Sequence, residues 1–165
     1  MKKLLILILV FVSSFSFAAE PSSYSQIMDF IEGRTEHNPC DYYLEQEEVF
    51  KCGDKGYLLS YGNFYCNRFL VRGYPRMTTS GQDFIVRTLS CLQETMEKDL
   101  LNTPITSCPA LKKMALEEHI ECYLSSGFCH LKPHDLYNVK LVIKSKDIFF
   151  GKNFKVVKEV LKHCL

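Results

Sequence analysis

Tryptophan is absent from this 165-residue chain, so nine tyrosines and twelve phenylalanines must fill whatever interior it builds. No Cys-x-x-Cys pair occurs, which removes the usual signature of a dithiol redox site. His-Glu-x-x-His and calcium-loop patterns are also missing, and with them the two most legible metal motifs. There is no Asn-x-Ser/Thr acceptor for N-glycosylation and no internal repeat. Charge of one sign is not in excess: without Lys2 and Lys3, 18 basic side chains face 19 acidic ones. No global field then draws the protein to nucleic acid or anionic lipid, and a polyanionic partner is disfavoured.

What is present begins with a leader. Lys2 and Lys3 precede an apolar run from Leu4 to Val12, and Ser16-Phe17-Ala18 precedes Ala19 and Glu20. This is the layout of a signal peptide of bacterial type, residues 1–18, cut after Ala18. The run is shorter than the roughly 20 apolar residues that span a bilayer, and no later segment is more apolar. The expectation is a secreted or periplasmic protein with no membrane insertion, folding as a single domain over residues 19–165.

Eight cysteines follow the leader: Cys40, Cys52, Cys66, Cys91, Cys108, Cys122, Cys129 and Cys164. An even count in an exported chain reads as a disulfide framework. A cysteine nucleophile would need a free, activated thiolate beside a histidine, which a fully paired set does not leave.

Helical periodicity organises the rest. Ile85, Leu89, Leu92 and Met96 recur at intervals of four, three and four, which predicts a helix over about 80–100 entered through Thr79 or Ser80. A second helix starts at Thr106 or Ser107, carries Pro109 in its first turn and runs toward Gly127. A third closes the chain, with Phe154, Val157, Leu161 and Cys164 on one side and Lys155, Lys158 and Lys162 on another. Residues 23–32 and 41–50 predict two short helices, the latter with an acidic surface. The stretch 57–71 fits a helix that places Leu58, Tyr61, Tyr65 and Leu70 near one face. Val139, Leu141 and Ile143 alternate as a strand would, but residues 136–143 are read as a helix followed by a loop over 144–153. The expected fold is an all-α, disulfide-stapled bundle of about five to six helices.

Cys108 and Cys122 lie fourteen residues apart, almost four turns, so they share a helix face while standing roughly 20 Å from each other. They cannot bond to one another, and Cys91 and Cys164 are plausible receivers.

His119 is the main candidate for chemistry. His119-Ile120-Glu121-Cys122-Tyr123 resembles the His-Asp-x-Cys-Tyr segment of secreted phospholipases A2, which makes a hydrolase using His119 the alternative function. Ile120 stands where that chemistry needs a metal-binding carboxylate, so a helix-surface or interface histidine is the plainer reading. His130, His134 and Asp135 form a loose constellation, and Glu117, Glu118 and Glu121 crowd one helix, but no motif orders either group around an ion. No cofactor and no metal site is expected. Seven lysines from Lys140 onward and the acidic group Asp41, Glu45, Glu47 and Glu48 form two poles that could pair internally or guide a partner. Tyr57, Tyr61, Phe64, Tyr65 and Phe69, with Phe149 and Phe150, are read as core rather than contact surface.

Gly81-Gln82-Asp83-Phe84-Ile85-Val86-Arg87-Thr88-Leu89-Ser90-Cys91, then Cys108, Ile120-Glu121-Cys122-Tyr123, Cys129 and Cys164 together resemble the core of the stanniocalcins. In that family a Gly-x-x-Phe-Val helix ends in Ser-Leu-x-Cys, and a later Glu-Cys-Tyr is followed by cysteines at the intervals seen here after Cys108. The resemblance covers about Cys40 to Cys164. It implies pairing of Cys91 with Cys122, Cys129 with Cys164, Cys52 with Cys108 and Cys40 with Cys66. It also implies a secreted, non-enzymatic, hormone-like protein that acts by protein–protein contact, as stanniocalcins do when they inhibit pappalysin-type metalloproteinases. The glycosylation acceptor, the C-terminal extension and the cysteine that links family dimers have no counterpart here, so no disulfide-linked dimer is expected and the protein partner is unknown.

Overall fold

The computed structural model describes residues 22–144 and 152–164, and every described element is helical. The leader and the pair Phe149 and Phe150 lie outside the described residues. Helix α1 (Ser23–Ile31) starts on the Ser22 hydroxyl, which accepts from the Ser25 N–H, and buries Ile27. A tight turn at Pro39–Asp41, capped by the Asn38 side chain, leads into α2 (Tyr42–Phe50), which ends on Lys51 in the left-handed conformation at φ 52°. On α2 the acidic surface is incomplete, because Glu47 turns inward and accepts from the Gly53 N–H at 2.5 Å, closing the loop that follows.

Residues 57–76 form a continuous but irregular helical path, with α3 (Phe64–Arg68) flanked by wide turns at Leu58–Asn63 and Phe69–Gly73. Leu58, Tyr65 and Leu70 are buried and Tyr61 is half-buried. Their spacings of three, four and five residues stay on one side because a wide turn spans the last step. Gly62 is dictated by packing: a Cβ there would lie 2.5 Å from the Tyr43 ring.

Two long helices form the centre. Helix α4 (Thr79–Asn102) buries Ile85, Leu89, Leu92 and Met96 as the periodicity predicts, each at 8 % exposure or less. Burial of such a side chain contributes about 1.5–3 kcal/mol relative to leaving it in water. The cap is Thr78, one or two residues earlier than the expected Thr79 or Ser80. Helix α5 (Cys108–Ser125) begins at the Ser107 cap with Pro109 in its first turn, and the chain turns away through Gly127 at φ 96°. Helix α1 packs on α4, α4 on α5, and α5 on the last helix, α7 (Lys152–His163).

Helix α6 (Pro133–Val142) takes the segment whose alternation suggested a strand. Its Asp135, fully buried, accepts from the Thr78 N–H at 2.8 Å and from the Thr78 hydroxyl at 2.6 Å, capping α4 from another element. Arg68 donates to the Val142 carbonyl and ties α3 to the end of α6. Among the described side chains of α7, Val156 and Val160 are buried and Val157 is half-buried against the interior, while Leu161 is 48 % exposed. Of the expected stripe of Phe154, Val157, Leu161 and Cys164, Leu161 thus faces water, and the Phe154 side chain lies outside the described residues. Packing against α5 selects the face, and an apolar pattern with several eligible rows does not.

Four disulfides join these elements. Cys91–Cys122 staples α4 to α5 and Cys52–Cys108 ties the loop after α2 to the start of α5. Cys40–Cys66 links the turn before α2 to α3, and Cys129–Cys164 fastens the end of α7 to the turn after α5. Cα separations are 5.1–5.6 Å, within the range a disulfide spans. Cys91 thus receives Cys122, whereas Cys108 reaches Cys52 and not Cys164, because its end of α5 faces the loop after α2.

Candidate functional site

The residues singled out for chemistry are dispersed by the fold, and a different set is brought together. Asp135 is committed to Thr78, while the neighbouring His134 Nε2 lies 3.0 Å from the Arg76 carbonyl. No group of three or more His, Cys, Asp or Glu side chains among the described residues is placed to hold a metal ion. Glu117 and Glu121 are exposed on α5, and Glu118 is half-buried with its carboxyl raised above the usual range by burial and by Asp99. Among the described ion pairs none joins the acidic and lysine-rich poles; all are local, such as Asp83 with Arg87 and Glu159 with Lys162.

His119 is buried, at 3 % exposure, so of the two plainer readings it takes the interface one. Its Nδ1 sits against the Ala115 carbonyl one turn earlier in α5. A carbonyl only accepts, so Nδ1 carries the hydrogen and Nε2, on the opposite edge, carries the lone pair. Burial pushes its pKa down to about 4, which keeps the imidazole neutral at physiological pH.

Around that ring stand tyrosines from two elements. Tyr57, Tyr61 and Tyr65 recur every four residues on the irregular helical path, and Tyr123 follows His119 by one turn on α5. His119 makes edge contacts with Tyr57, Tyr61 and Tyr123 at centroid distances of 6.3, 5.7 and 5.5 Å, within the range of favourable aromatic pairs. Tyr57 and Tyr61 stack at 5.5 Å, and Phe84 of α4 extends the cluster to Phe128 at 6.0 Å. The phenols of Tyr57 and Tyr123 are pushed well above their ordinary pKa by burial, so these two groups also stay uncharged.

The rings line a partly open cavity of about 230 Å³. Ile85, Thr88, Leu89 and Leu92 of α4 form one wall, Leu136, Val139 and Ile143 another, and Val157 and Val160 of α7 contribute to a third. Among the described residues Lys140 is the one charged member of this lining, and it is exposed. Thr88 is buried at 6 % exposure, and its hydroxyl has no hydrogen-bond partner. The arrangement offers a largely apolar, ring-lined volume whose polar groups are the neutral His119 imidazole and the hydroxyls of the lining tyrosines. In the sequence His119 stands out as chemistry and Tyr57, Tyr61 and Tyr65 as core, while Thr88 carries no functional mark within its motif. The four-residue repeat of Tyr57, Tyr61 and Tyr65, matched by His119 and Tyr123, was the available signal.

On the outside of α6, Leu136, Tyr137 and Leu141 are 39 %, 59 % and 48 % exposed and adjoin Lys140. Leu136 with Lys140 and Tyr137 with Leu141 are four apart, and Tyr137 with Lys140 three apart, so they are neighbours on one side of the helix and make a small apolar patch beside a cation.

A model of the Stanniocalcin family matches residues 47–165. That span contains both partners of three of the four disulfides, the whole of α3 to α7, and all of the cavity lining named above. No curated protein and no solved structure matches the chain.

Proposed function

Since the chain belongs to the stanniocalcin family, which is secreted, hormone-like and non-enzymatic, we propose that it is an exported regulatory protein that works by protein–protein contact, inhibition of a secreted metalloproteinase being the specific form. The observation that carries this reading is the exposed side of α6, where Leu136, Tyr137 and Leu141 stand in water beside Lys140. Solvated apolar side chains clustered on one helix are better explained by a partner that covers them than by folding, which leaves them uncovered. Full intrachain pairing of the cysteines supports action without a disulfide-linked dimer.

The test is to add the purified, oxidised protein to a pappalysin-type metalloproteinase cleaving a protein substrate. The reading expects a dose-dependent fall in cleavage that is lost in the Tyr137→Asp, Leu141→Asp double variant, whose fold should be intact. Hydrolysis of phospholipid by the protein itself, abolished in a folded His119→Gln variant, would overturn it in favour of the hydrolase alternative.

A further inference from the structure

We propose that the ring-lined cavity is a binding site for a small, neutral aromatic molecule carrying one hydrogen-bond donor, of the phenol or indole class. Size sets the first limit. At about 230 Å³ the cavity exceeds the roughly 150 Å³ engineered cavity that takes up benzene and falls below the roughly 300 Å³ at which drug-sized sites begin. One or two fused rings fit this range. The lining sets the second limit, because the rings of Tyr57, Tyr61 and Tyr123 offer edges and faces that favour another aromatic ring over a flexible chain.

Polarity sets the third. The His119 Nδ1 is engaged with Ala115, so the atom the imidazole can offer a guest is its acceptor, Nε2, and an acceptor calls for a donor. Thr88 lines the same cavity, and although its buried hydroxyl has no partner, the oxygen is closed off from the open volume, so the donor of a guest is met by His119. A charged guest finds no counter-charge inside, as Lys140 keeps to the exposed rim. The site adjoins the α6 patch: Leu136 and Lys140 belong to both, whereas Tyr137 and Leu141 stand outside the lining.

Titration of the full oxidised protein with indole, followed by calorimetry and by ¹H–¹⁵N NMR, tests the assignment. Indole should bind saturably at one site and shift the signals of His119, Thr88 and Val160. N-methylindole, which keeps the rings and lacks the donor, should bind about ten-fold more weakly, the loss expected when one buried acceptor goes unpaired. Val160→Phe should remove binding by filling the volume. Equal affinity for the two indoles, shifts confined to the protein surface, or preferential binding of decanoate would each overturn the proposal. The comparison of ligands on the unaltered chain stands even if Val160→Phe does not fold.

Discussion

Asp135 caps α4 across 57 residues of sequence: its two carboxylate oxygens take the backbone N–H and the hydroxyl of Thr78, at 2.8 and 2.6 Å. The same carboxyl explains the glycine that opens the helix. A Cβ on Gly81 would lie 2.7 Å from the Asp135 carboxyl and 2.8 Å from the Met77 sulfur, so the glycine is needed for close approach of α6.

Asp135→Ala is expected to cost about 2–3 kcal/mol, the loss of charge-assisted hydrogen bonds at a buried helix cap. Gly81→Ala should cost about 1–3 kcal/mol through overpacking. Because both act on one contact, the double variant should lose less than the sum, and urea unfolding of the four proteins measures that coupling. Strict additivity would mean that the two residues do not meet.

Cys91→Ala and Cys122→Ala should each lower stability by about 2–5 kcal/mol, since either opens the bridge between the central helices. Thermal unfolding at wild-type temperature in either variant would contradict this.

Stability should depend on pH through His119. Its pKa in the folded protein is about 4, against 6.5 for the ordinary group, so the unfolded chain binds the extra proton between those values. Unfolding therefore becomes easier as pH falls from 6.5 toward 4, by about 3 kcal/mol across the window, and this contribution is constant above it. Denaturant unfolding at stepped pH should show that slope, and His119→Gln should flatten it.

Thr88→Val keeps the shape of the side chain and removes a buried hydroxyl that has no partner. The variant should gain about 1 kcal/mol, read as a higher unfolding midpoint. A loss would indicate that the hydroxyl is engaged in solution.

The limits of α5 were legible because they are written in local chemistry: Ser107 caps, Pro109 starts and Gly127 turns the chain in a left-handed conformation. The wide turns at Leu58–Asn63 and Phe69–Gly73 were not, since a period of 3.6 describes a regular helix and the step from Tyr65 to Leu70 requires an irregular one. Asp135 read as part of a loose His and Asp group because nothing in its neighbourhood of the sequence names Thr78. The face of α7 was equally beyond reach. Val156 and Val157 are adjacent, and only α5 decides which is buried. The cavity is the least legible feature of all, since it exists only once at least five elements have taken their places. Its members announced themselves as tyrosines at regular spacing, with no mark to distinguish a lining from a filled core.

The order of the bridges along the chain has a consequence for survival among proteases. Cys40–Cys66 overlaps Cys52–Cys108, which in turn overlaps Cys91–Cys122, so any single cut between Cys40 and Cys122 leaves its two pieces covalently joined. Cys129–Cys164 protects the C-terminal part in the same way but shares no residue range with the others. The short stretch from Tyr123 to Phe128 is then the one place between Cys40 and Cys164 where a nick could part the molecule. It is also where Tyr123 and Phe128 pack against Phe84. Aromatic packing thus guards the single link that no disulfide spans.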